Sequence, residues 1–111
     1  MDSQAKYTDV ASLAQVLPGQ TLKVTTSNGD ILLANVEGKI YAVDDMCTHE
    51  DSSLALGCLK GALVSCTLHG SRFNVRTGEP TEEPATEALQ CYPVRINCDR
   101  IEICLESSRD A

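Results

Sequence analysis

An all-β fold, a small barrel or sandwich, is what this 111-residue sequence predicts. Short apolar runs recur, turn residues fall between them at hairpin spacing, and only one brief stretch looks helical. Residues 21–26 alternate weakly, and Ser27-Asn28-Gly29-Asp30 carries the Asn-Gly signal of a tight hairpin. Residues 31–36 form a β-rich run that Glu37-Gly38-Lys39 turns into residues 40–43. Leu59, Leu63 and Val64 flank Lys60-Gly61 as a second hairpin. Tyr92, Val94 and Ile96 alternate, as do Ile101, Ile103 and Leu105, across the turn Asn97-Cys98-Asp99-Arg100. Residues 12–17 read as a short helix that Pro18-Gly19 ends. Residues 78–84, acidic and proline-bearing, read as a loop, and residues 107–111 as a frayed end.

The length suits one domain, residues 1–111, with a thin core that a metal site would reinforce. Nine Lys and Arg stand against 16 Asp and Glu, a net charge of −7. That balance argues against nucleic acid and against an anionic membrane surface, since both require basic patches. A partner steered by charge should be basic where it docks. No stretch approaches the roughly 18 apolar residues of a membrane span. Residues 1–10 lack a basic and then apolar leader, so export is not expected and a cytoplasmic location is. Six cysteines are too few for a disulfide scaffold and in a reducing compartment read as metal ligands or core thiols.

The chain has two histidines, and each sits close to a cysteine: Cys47-Thr48-His49 and Cys66-Thr67-Leu68-His69. Sixteen residues, holding the Lys60-Gly61 hairpin, separate the pairs. Two loops, each with one thiolate and one imidazole, can close around a metal centre. Gly70 follows His69, where a chain wrapping a cofactor needs close backbone approach. Coincidental placement and core packing are the bland alternatives. Structural zinc accepts two Cys and two His, but a single residue between Cys47 and His49 is not finger spacing.

Cys-x-His, sixteen residues, Cys-x-x-His resembles the ligand pattern of Rieske [2Fe–2S] proteins. The text from His69 to Gly78, the loop reaching Pro84, and Tyr92-Pro93-Val94 also resemble that family. The resemblance spans about residues 5–106. It extends to the Rieske ferredoxins of bacterial multicomponent aromatic-ring-hydroxylating dioxygenases, of the biphenyl, naphthalene and carbazole type, the carbazole type first among these. It implies a β-sandwich base with a small inserted cluster-binding subdomain at about residues 46–76, and one [2Fe–2S] cluster. Cys47 and Cys66 would hold the inner iron, and His49 and His69 the outer iron near solvent. Two neutral imidazoles in place of two thiolates leave the oxidised centre formally neutral, so it accepts an electron more readily than a four-cysteine centre.

The resemblance also carries departures. The disulfide of the respiratory branch would fall at Ser52 and Leu68, so it cannot form. Its potential-raising hydroxyls would fall at Ser71, which is present, and Phe73, which has none. A potential near the lower end of the Rieske range, roughly −150 mV, is expected. The implied role is one-electron transfer from a flavin-containing NAD(P)H reductase to a Rieske non-haem-iron terminal oxygenase. No Gly-rich dinucleotide fingerprint is present, and no histidine is spare for a catalytic iron, so a carrier rather than an enzyme is expected, as a monomer. A zinc-stabilised interaction module and the Rieske subunit of another system, such as a nitrite reductase small subunit, are the rivals.

Cys58, Cys91, Cys98 and Cys104 match no ligand spacing and read as core or surface thiols. Asp44-Asp45 and Glu50-Asp51 flank the first ligand loop, as a solvated face or as a docking patch. Leu54, Leu56, Leu68 and Phe73 read as core, with cluster shielding or partner contact as the alternative. Pro80 and Pro84 stiffen a loop, and Pro84 matches the family's cluster-covering proline better.

Overall fold

The computed structural model describes residues 7–27, 29–46, 53–65, 72–82 and 88–105. Among these, eleven strands pair antiparallel in three sheets, as an all-β fold requires. The first sheet joins β1 (Tyr7–Ser12), β11 (Arg100–Cys104) and β10 (Val94–Asn97) in that order. The second runs β2 (Thr21–Thr26), β3 (Gly29–Val36), β4 (Lys39–Asp44) and β9 (Cys91–Tyr92). The third is a meander of β5 (Leu59–Lys60), β6 (Leu63–Ser65), β7 (Arg72–Asn74) and β8 (Pro80–Glu82). No helix of the described residues is long and apolar enough to cross a membrane.

The second sheet lies between two cores because side chains alternate across a strand. Ile31 and Leu33 of β3, with Ile40 and Ala42 of β4, pack against Ala11, Val16, Ile101 and Ile103. Leu32, Ala34 and Val36, with Val43, face the other way onto Leu54, Val64, Phe73, Val75 and Leu89. The unbroken apolar run of β3 is therefore a strand covered on both faces rather than an alternating half-exposed one.

Turn chemistry follows the residues. Val36 pairs with Lys39, and Glu37 and Gly38 both take positive φ, the arrangement that matches the strands' twist in a two-residue loop. Thr26 pairs with Gly29, so Gly29 stands in β3. Asn97 pairs with Arg100, as the third hairpin requires.

Three elements differ from expectation. Residues 12–17 are not a helix: Ser12 ends β1, and one 3-10 turn (Leu13–Gln15) follows, with the Ser12 N–H donating to Gln15 Oε1 at 2.9 Å. Pairing of β1 with β11 overrides the weak helical pattern. Within residues 78–84, Pro80–Glu82 is an edge strand on β7, a position that tolerates proline's missing N–H. Tyr92 and Val94 belong to different sheets, because the chain crosses at Pro93, whose carbonyl accepts the Cys104 N–H at 3.0 Å.

Candidate metal centre

The sequence-predicted ligands Cys47, His49, Cys66 and His69 lie outside the described residues. The described residues form the frame that bounds the two segments carrying them.

The first segment leaves β4 through Asp45 and Met46 and returns at Ser53, where Met46 and Ser53 form an antiparallel bridge. Asp45 is only 2% exposed. Its carboxylate accepts the Ser53 hydroxyl in a short bond and the Ala55 N–H at 2.9 Å. Its own carbonyl accepts the Leu54 N–H at 2.7 Å. Leu54 is fully buried in the core against β3. One buried acid thus ties both ends of residues 47–52 to each other and to the second sheet.

The second segment, residues 66–71, connects β6 to β7, whose last described pair is Ser65 and Arg72. The next pair inward, Val64 and Phe73, is fully buried and anchors this hairpin in the same core. The two bases touch at Gly57, just after the 3-10 turn Leu54–Leu56. A Cβ on Gly57 would lie 1.7 Å from the Ser65 carbonyl oxygen. The Ser65 N–H donates to the Cys58 carbonyl at 2.9 Å and completes the junction. Each six-residue segment carries one sulfur and one nitrogen donor, and both start from this shared base. That donor set fits asymmetric ligation of a [2Fe–2S] cluster, two thiolates on one iron and two imidazoles on the other.

The remaining candidates separate. Asp45 is no part of an exposed docking patch, which corrects the expectation for the Asp44-Asp45 pair: its carboxylate is spent inside the frame. Asp44 is half-buried and accepts the Tyr92 hydroxyl at 2.6 Å. Burial first, and this bond second, push the Tyr92 phenol well above its ordinary value of 10. Glu50 and Asp51 lie outside the described residues, as do Ser52, Leu68, Gly70, Ser71 and Pro84. Leu54 and Phe73 are core residues. Pro80 stands in β8. Cys58 and Cys98 are exposed, Cys91 is half-buried and Cys104 is buried. Among the described residues no group of three or more His, Cys, Asp or Glu side chains is placed to hold a metal. Asp45, Ser53 and Gly57 are the frame residues that motif reading misses; no periodicity links them, and only the fold brings them together.

A Rieske [2Fe-2S] domain matches residues 6–93, and the chain belongs to the Rieske [2Fe–2S] family, carrying one such cluster. Among its relatives is the ferredoxin component of the naphthalene 1,2-dioxygenase system of Pseudomonas putida, 38% identical over 98 residues, 88% of this chain and 94% of that one. Another is the biphenyl dioxygenase ferredoxin subunit of Pseudomonas sp. (strain KKS102), 40% identical over 91 residues, 81% of this chain and 84% of that one. Among solved structures, a chain from the complex of reduced oxygenase and oxidized ferredoxin in carbazole 1,9a-dioxygenase matches with a TM-score of 0.87 at 28% identity, covering 95% of this chain and 98% of that one.

Proposed function

We infer that this chain is the ferredoxin component of an aromatic-compound dioxygenase system. It takes single electrons from a flavin-containing NAD(P)H reductase and passes them to the Rieske non-haem-iron terminal oxygenase. It is a carrier, not an enzyme. The observation that carries this reading is the junction at Gly57 and Ser65, which sets side by side the bases of two segments that each hold one Cys and one His. The ferredoxin-component relatives, and the carbazole ferredoxin solved with its oxygenase, support the partner assignment.

Cys47 and Cys66 would hold one iron of the cluster, and His49 and His69 the other. When bound, the cluster would supply a one-electron couple. The chain's own work is to grip and orient. The Asp45 and Ser53 bonds close one ligand segment, and the buried Val64 and Phe73 pair seats the other. Residues 46–76 serve as the cluster-binding part of a single domain, and the protein acts as a cytoplasmic monomer. Short-lived docking with two partners in turn favours a small contact area over a permanent interface.

Reconstitution tests the reading. The purified protein should contain iron and acid-labile sulfide in equal amounts and show the low-average-g signal of mixed nitrogen and sulfur ligation when reduced. Added to reductase and oxygenase, it should restore aromatic-ring hydroxylation. Cys66→Ser or His69→Ala should lose iron and colour. A colourless protein holding zinc, or a His69→Ala protein with full iron content, sinks the assignment.

A further inference from the structure

We propose that the cavity between the start of β4 and the turn after β7 binds a small, single-ring aromatic carboxylate, its ring against Tyr41 and Tyr92 and its charge between Lys39 and Arg76. The cavity stands apart from the ligand-bearing segments. β4 leads toward the first of them from Asp44, and β7 follows the second at Arg72. The cavity takes the opposite ends, at residues 39–42 and 75–76. The proposal therefore does not depend on which metal the chain holds.

The cavity has a volume of about 220 Å³. An apolar cavity of about 150 Å³ takes up benzene, so there is room here for one ring and a carboxylate. The hollow forms because β9 pairs only with Ala42 and Val43 of β4, and the chain then crosses at Pro93 to the first sheet. Part of the lining is apolar, from Val75, Pro93 and the rings of Tyr41 and Tyr92. The Tyr92 hydroxyl is spent on Asp44 at 2.6 Å, so what Tyr92 offers is its ring. The rest is cationic. Lys39 Nζ stands 5.6 Å from the centre of the Tyr41 ring, within cation–π range. The Arg76 backbone is fixed in the turn, its N–H donating to Asn74 Oδ1 at 2.8 Å. Lys23, Arg95 and Arg100 each face a carboxylate. Among the described residues none faces Lys39 or Arg76, so two uncompensated cations meet at one hollow in a chain of net charge −7. A few convergent polar groups over apolar lining define a small-molecule site. A carboxylate answers both cations, and a guanidinium can grip it bidentately. Acetate or phosphate would use only the charged part of the lining, and a neutral ring only the apolar part.

Amide NMR titration of the purified protein with sodium benzoate tests this, with acetate, inorganic phosphate, benzyl alcohol and cyclohexanecarboxylate as comparisons. Benzoate should give shifts that saturate at millimolar concentration, largest at the amides of Lys39, Tyr41, Val75 and Arg76. Each comparison compound should bind several-fold more weakly, and added salt should weaken benzoate itself. Lys39 and Arg76 are exposed, so Lys39→Met and Arg76→Met should melt as wild type does. Each should weaken benzoate roughly tenfold. Shifts that never saturate, that spread over the whole surface, or that persist unchanged when both cations are replaced overturn the site. Acetate or phosphate binding as tightly as benzoate overturns the role of the ring. Cyclohexanecarboxylate binding as tightly overturns its aromatic character, and benzyl alcohol binding as tightly overturns the role of the charge.

Discussion

Gly57 has an ordinary extended backbone, with φ of −92°, so what it supplies is space rather than conformational freedom. Its Cα faces the Ser65 carbonyl too closely for any side chain. Gly57→Ala must push the two segment bases apart, and the expected cost is about 3 kcal/mol, measured as a shift of the urea midpoint. Faster iron loss should accompany it. Tyr92 gives a pH signature at the same scale. Its folded-state phenol titrates above its ordinary value of 10, so its contribution to stability is complete below about pH 10. Above that the unfolded chain ionises first, and stability drains away as pH rises toward the folded value. Tyr92→Phe should cost about 1 kcal/mol at neutral pH, through the lost bond to Asp44. The gap between wild type and variant should shrink in urea titrations carried above pH 10.

Elements are tied to one another unevenly. Arg100 grips both carboxylate oxygens of Asp9 at 2.8 Å and pins β1 to the centre of the first sheet. That bond holds the Asp9 carboxyl below its ordinary value of 3.8. The contribution is therefore present above about pH 4 and lost as pH falls through the lowered value. Asp9→Asn should melt below wild type at pH 7, and the two curves should converge when melting is followed down to pH 2. Phe73 joins the third sheet to the second from a fully buried position. Phe73→Ala should cost about 3–5 kcal/mol by thermal melting and loosen the pairing of β6 with β7.

How legible these elements are in the sequence depends on where their signal resides. β3, β4 and β11 can be read because β-branched and Leu runs meet Gly-bearing or two-residue turns. β1 cannot, because its pairing with β11 contains a register shift between Asp9 and Ala11 and most of its side chains stay outside the core. β8 hides because its proline announces a loop, whereas an edge strand accepts it. The break at Pro93 is equally hidden, since alternation of Tyr92, Val94 and Ile96 looks continuous until the sheets are seen to differ. At the site, ligand spacing names four residues, but Asp45 reads as a surface acid. Only burial reveals it as a clamp, because its partners stand eight and ten positions further along.

For the molecule as a whole, charge and redox poise work together. A net charge of −7 predicts electron delivery that slows as salt screens attraction to basic partner surfaces, with stopped-flow rates falling steadily as ionic strength rises. A midpoint of roughly −150 mV is expected for the intact protein, low enough to be emptied into an oxygenase.

The sheet that walls both cores has a consequence for local opening. Neither half of the molecule can melt without stripping one side of β3, so iron release and global denaturation should share a barrier. In deuterium oxide, the buried amides of Ile31, Leu32, Leu33 and Ala34 should be the last to exchange, and reductive stripping of the iron should shorten their lifetimes.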